Sequence, residues 1–247
     1  MRILPAFAAL ALLAAAAAHA DPRLDEKVYD PYVEKGVAEF EARTAGQLGG
    51  PQGGAQTTVF EAEYGVSDRV SLAFVTTLEN APHERPAVTS LGVEAKAYLG
   101  RIPAVGLDVG GYLEFSQGLN GEPDVLESKL LLAKTAGRFQ GLFNLIMERP
   151  FGGAGENFAS YGYAASATWR AWGPLRLGAE AFGDLGDDHD FPGPGAAYVG
   201  PAARWEGRPG RAPFEIGVNA GWLFPVGADR AEAHSQFRLG VEIERRF

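Results

Sequence analysis

The sequence predicts an all-β fold: a closed antiparallel transmembrane β-barrel of about twelve strands, with short turns at one end and longer loops at the other. Three observations carry that expectation. Apolar and polar residues alternate along one segment after another from Gly36 to Phe247. The connections between segments alternate between short and long. Past Ala20 no apolar run reaches the ~18 residues that a membrane-spanning helix needs, so the mature chain is either soluble or a barrel. The 33 glycines and 16 prolines suit many short strands joined by turns.

Residues 1–20 read as a secretory signal peptide. Arg2 supplies the positive region, Ile3 to Ala17 is apolar, and Ala18-His19-Ala20 is a small-x-small cleavage site. The chain has no cysteine, which excludes a disulfide framework and a lipidated cysteine and suits a Gram-negative envelope. A formal charge of −9 disfavours nucleic acid as a partner. Residues 21–35 carry mixed charge and two prolines without a sustained period. We expect a periplasmic lead-in or short plug, whose Val28, Tyr29, Tyr32 and Val33 pack against the mouth of a barrel spanning residues 36–247.

Each strand follows from the two-residue period. Ala38, Phe40 and Ala42 oppose Glu39, Glu41 and Arg43, and Thr58, Phe60, Ala62 and Tyr64 oppose Glu61 and Glu63. Val70, Leu72, Phe74 and Thr76 form the third apolar face; Leu91, Val93, Ala95, Ala97 and Leu99 oppose Glu94 and Lys96. Leu107, Val109, Leu113 and Phe115 oppose Asp108 and Glu114; Leu126, Leu130 and Leu132 oppose Glu127 and Lys129; Phe143, Leu145 and Met147 oppose Asn144 and Glu148. Tyr161, Tyr163, Ala165, Ala167 and Trp169 oppose Ser166, Thr168 and Arg170, and Leu175, Leu177, Ala179 and Ala181 oppose Arg176 and Glu180. Ala197, Val199, Ala203 and Trp205 oppose Arg204 and Glu206; Phe214, Ile216, Val218, Ala220 and Trp222 oppose Glu215 and Asn219. In the last strand Phe237, Leu239, Val241, Ile243 and Phe247 face away from Gln236, Arg238, Glu242, Glu244 and Arg246.

A soluble sandwich has no reason to alternate its loop lengths, whereas a barrel puts charge in an aqueous lumen and apolar side chains in outer-membrane lipid. Aromatic residues fall where interfacial girdles belong, with Tyr64, Phe139, Trp169, Trp205, Phe214 and Phe247 at the periplasmic rim. Phe115, Tyr161, Tyr198, Trp222 and Phe224 are expected at the outer rim. Both termini are then periplasmic.

The expected lumen-lining residues are Glu39, Glu41, Glu61, Glu63, Glu94, Lys96, Arg170, Arg176, Arg204, Arg238, Glu242 and Glu244. They read either as an acidic wall facing a basic wall, which orients small polar solutes, or as a salt-bridged interior that keeps the barrel rigid and mostly closed. No catalytic residue, cofactor or metal is expected. His234-Ser235 brings outer-membrane lipid hydrolases to mind, but lacks an orienting third group. The Asp184 to Asp190 segment, with Asp187, Asp188 and His189, reads first as an acidic solvated loop and second as a cation ligand set. Its spacing is not that of an EF-hand.

Two stretches carry a resemblance. The last strand, ending on Phe247, resembles the terminal strand that the barrel-assembly machinery reads in bacterial outer-membrane barrels, with Arg245 where an aromatic residue is usual. Val28-Tyr-Asp-Pro-Tyr-Val-Glu-Lys-Gly36, followed by a Glu-rich first strand, resembles the mature start of proteobacterial envelope barrels. The whole is similar to the transporter-like barrels grouped with the phenol-degradation MetA family. That resemblance implies an outer-membrane location and a passive channel or uptake role for small polar or aromatic-derived solutes. The alternatives are a non-conducting barrel with a surface role and a lipid hydrolase.

Overall fold

The computed structural model describes residues 24, 26–152, 158–193, 195–226 and 234–247. The signal-peptide reading of residues 1–20 lies outside them. Twelve strands follow one another: β1 Val37–Gln47, β2 Gln56–Gly65, β3 Val70–Asn80, β4 Ala87–Ile102, β5 Leu107–Gly118 and β6 Asp124–Ala136. The second half comprises β7 Phe139–Phe151, β8 Ser160–Trp172, β9 Leu175–Asp187, β10 Ala197–Gly207, β11 Glu215–Pro225 and β12 Gln236–Arg246. Each pairs antiparallel with its sequence neighbours, and β1 pairs with β12 from Val37↔Arg246 to Gln47↔Gln236, so the sheet closes without a free edge.

Strand β3 shows why these residues choose this arrangement. Ser71 is fully buried and Ala73 and Val75 nearly so, while Leu72 and Phe74 between them are 50% and 74% exposed. Such a residue costs about 1.5–3 kcal/mol in water relative to burial, and the same exposed apolar face runs through β4, β7, β11 and β12. A contiguous apolar band of this size is a lipid-facing surface.

The connections at the end bearing the termini are residues 66–69, 103–106, 137–138, 173–174 and 208–214; those at the other end are 48–55, 81–86, 119–123, 152–159, 188–196 and 226–235. The expected alternation holds for most of them, with 208–214 the exception at the short-turn end. In the two-residue turns Gly137 and Gly173 take positive φ (62° and 54°), which a side chain would disfavour. At the long-loop end the Asp188 carboxylate accepts the Ala159 N–H (3.1 Å) and the Tyr161 hydroxyl (2.8 Å), joining two loops. Those two bonds hold its carboxyl below the usual carboxylate range. Because the folded value is depressed, this tie is present above the unfolded carboxylate range and is lost as pH falls through the folded value. We expect Asp188→Asn to raise the rate of protease cleavage in residues 188–196 of the folded protein at neutral pH; an unchanged rate contradicts the tie.

One expected rim residue lies elsewhere. Tyr198 is 3% exposed and packs inside the barrel with Ile146, Ala164, Phe182 and Leu223. The period explains the correction: Ala197 and Val199 face outward, so the residue between them faces inward. Phe115, Trp222 and Phe224 are exposed on the outer face.

Candidate functional site

The interior is organised by the stretch before β1. Residues 26–34 run through the barrel towards the end that bears the termini, held at successive levels by different strands. Deepest, the Lys129 ammonium (β6) donates to Glu26 Oε2 at 2.7 Å and the Arg238 guanidinium (β12) donates to the Glu26 carbonyl at 2.6 Å. At the next level Asn144 (β7) mimics a strand neighbour. Its Oδ1 accepts the Tyr29 N–H at 2.7 Å and its Nδ2 donates to the Tyr29 carbonyl at 2.9 Å, satisfying a buried stretch of backbone that no strand reaches. Nearest the short turns, the Tyr32 hydroxyl donates to Asp108 at 3.1 Å, and Arg246 pairs with Glu34. Burial and that bond to Asp108 push the Tyr32 phenol up to about 12.

Around Tyr29 the charges interlock. Lys27 pairs with Glu41 and lies 3.2 Å from Glu61, while Arg43 donates to Glu61 at 2.7 Å and to Glu41 at 3.3 Å. Burial works against the Lys27 charge, and its pairing with Glu41 and Glu61 offsets that cost. Lys27 and Lys129 stand over the Tyr29 ring at 4.3 and 4.7 Å, and Tyr112 packs against that ring at 4.8 Å between centroids. Lys96 (β4) reaches Glu63 (β2) at 3.0 Å, across a β3 that presents only Ser71 and Ala73 between them.

Among the described residues, two groups of three carboxylates have oxygens within 4.8 Å of one another, Glu26/Glu127/Glu148 and Glu61/Glu63/Glu94. In the first, Lys129 sits 2.7 Å from Glu26 and 2.6 Å from Glu127; in the second, Lys27, Arg43 and Lys96 serve the same purpose. The protein supplies its own cations there.

Of the expected lumen residues, Glu41, Glu61, Glu94, Lys96, Arg238 and Glu242 are buried on the inner face, and Glu39, Glu63, Arg204 and Glu244 are partly buried on it. Arg204 pairs with Glu206 and donates to Glu242 at 3.2 Å. Arg170 and Arg176 do not join this group. Arg170 is exposed beside the β8–β9 turn, where the register shifts, and Arg176 donates to the Thr168 hydroxyl at 2.9 Å and the Arg138 carbonyl at 3.3 Å. The basic residues at mid-barrel are therefore interleaved with the acids and do not form an opposing wall. Sequence reasoning missed Glu26, Lys27, Tyr29, Lys129 and Asn144 as partners of that lumen set; the alternation placed Lys129 inward, but nothing local pointed to the lead-in as its partner.

A cavity of about 250 Å³ remains beside the lead-in, bordered by Glu39, Glu63, Glu180, Arg204, Asn219 and Glu244 among others. His234 lies at the long-loop end, with its imidazole against the backbone of Gly49 and Gly50. The Asp184 to Asp190 segment is organised by its own backbone, with Asp187 Oδ1 accepting the N–H groups of His189 (2.7 Å) and Asp190 (3.1 Å).

No protein-family model matches the chain, and no curated protein matches it. Among solved structures it is similar to the COG4313 outer membrane channel from Pseudomonas putida F1, with a TM-score of 0.63 at 13% identity over 90% of this chain and 100% of that one. It is also similar to the KdgM porin in complex with disordered oligogalacturonate, with a TM-score of 0.53 at 10% identity over 85% of this chain and 99% of that one. At these identities the likeness is one of fold: a closed twelve-stranded antiparallel barrel of the outer-membrane type.

Proposed function

We propose that this protein is a passive channel of the bacterial outer membrane for small polar or aromatic-derived solutes, allied to the transporter-like barrels grouped with the phenol-degradation MetA family. The observation that carries the reading is the cavity of about 250 Å³ between the lead-in and the β1, β9, β10, β11 and β12 walls. It is lined by charged and amide side chains and by the exposed ring of Tyr32, a surface that accepts polar groups and a flat apolar one. The structural neighbours, a channel and a porin by name, agree with it. In this reading residues 1–20 direct export, residues 21–35 narrow the lumen as a plug, and Phe247 closes the strand read by the barrel-assembly machinery. Both termini are periplasmic and the longer loops face outward.

Liposome swelling with the refolded mature protein tests it. Arabinose and small uncharged aromatic alcohols are expected to enter, and a tetrasaccharide to be excluded, because the passage is narrower than that of a 16-stranded porin. A folded, heat-modifiable barrel that admits none of them overturns the reading.

A further inference from the structure

The fixed charges around the cavity are unevenly matched. Its basic residues are engaged: Lys27 by Glu41 and Glu61, Arg43 by the same two, Lys96 by Glu63, and Arg204 by Glu206 and Glu242. Arg238 donates to the Glu26 carbonyl and stacks on the Phe182 ring at 3.7 Å. Among the described residues, Glu39, Glu180 and Glu244 border the same cavity and make no ion pair or hydrogen bond. Arg238 and Arg204 are the charges that act on Glu180. The strongest charge on Glu39 is Lys27, which already pairs with Glu41 and Glu61, and Glu242 and Glu63 act against it. Glu39 and Glu244 are register partners on β1 and β12, and Glu39 is also the partner of Glu63 on β2. The charges acting most strongly on Glu244 are Glu242, Glu206 and Glu215, all negative. Like charges set directly opposite on neighbouring strands repel, and a mobile cation between them relieves that repulsion while an anion adds to it.

We infer that the passage selects for positive charge, with Glu39 and Glu244 as the selecting pair, so that its solutes are small cations such as protonated amines. This rests on the channel reading. It also separates two sets of carboxylates that look alike in the sequence: Glu41 and Glu61 hold the lead-in, and Glu39 and Glu244 face what passes.

Reversal potentials of single channels in a tenfold KCl gradient at pH 8.5, repeated with methylammonium chloride, test it. The unaltered protein is expected to favour cations severalfold. Glu39→Gln with Glu244→Gln is expected to bring the permeability ratio close to one while conductance steps persist, and Glu39→Lys with Glu244→Lys to reverse it. Glu122→Gln, in the exposed loop 119–123, is expected to change nothing. Steps without cation preference, or a preference that survives both double variants, overturn the selecting pair and leave the channel standing. A protein that gives no steps at all overturns the channel reading itself.

Discussion

Deleting residues 26–34 is expected to raise single-channel conductance severalfold without opening the barrel wall. The segment fills the lumen at three levels, against Lys129 and Arg238, against Asn144, and against Asp108. None of the twelve strands depends on it for closure, since β1 and β12 pair along their whole length. The residues it leaves behind, Asn144, Glu41, Glu61 and Lys129, face a wider lumen and recover water in exchange for their lost partners. Heat-modifiability on a gel shows whether the barrel is intact, and planar-bilayer recording gives the conductance. Equal step sizes with and without the segment contradict its place in the lumen.

The second large effect is expected at Lys129. Its side chain is 3% exposed and lies between Glu26 and Glu127, over the rings of Tyr29 and Tyr112. Lys129→Met removes the only cation within ion-pair distance of either carboxylate among the described residues, and breaking a buried pair from one side costs about 3–5 kcal/mol. The lower end applies where water reaches the lumen. Urea unfolding in detergent measures it. Adding Glu26→Gln and Glu127→Gln to Lys129→Met is expected to recover most of the loss, because the penalty lies in the unmatched charges; a triple variant as unstable as the single one contradicts the pairing.

The strands and the outward face were legible because lipid imposes a strict period of two on every strand, and Leu72, Phe74, Val241 and Ile243 display it without knowledge of any partner. The lumen was half legible. Parity put Glu41, Glu61, Glu94 and Lys96 inside, but parity does not say what they touch. Lys96 meets Glu63 only because two small residues, Ser71 and Ala73, separate them on the intervening strand. Lys27 and Tyr29 belong to a stretch with no period, so their place beside Glu61, Asn144 and Tyr112 is fixed by tertiary contacts alone. Apolar residues at inward positions, such as Ile146, Phe182 and Leu223, ran against the expectation of a wet lumen; they pack on one another and on Val28 of the lead-in.

In the proposed channel the passage runs past Glu39 on β1, which borders the cavity, and not past Glu127 on β6, which does not. The chain has no cysteine of its own, so a single introduced thiol reports on one position. Recording single channels of Glu39→Cys and of Glu127→Cys while adding a positively charged methanethiosulfonate measures this directly. The expected result is a stepwise, irreversible loss of current for Glu39→Cys and an unaffected current for Glu127→Cys. Loss of current at Glu127→Cys with none at Glu39→Cys would place the passage on the other side and contradict the account.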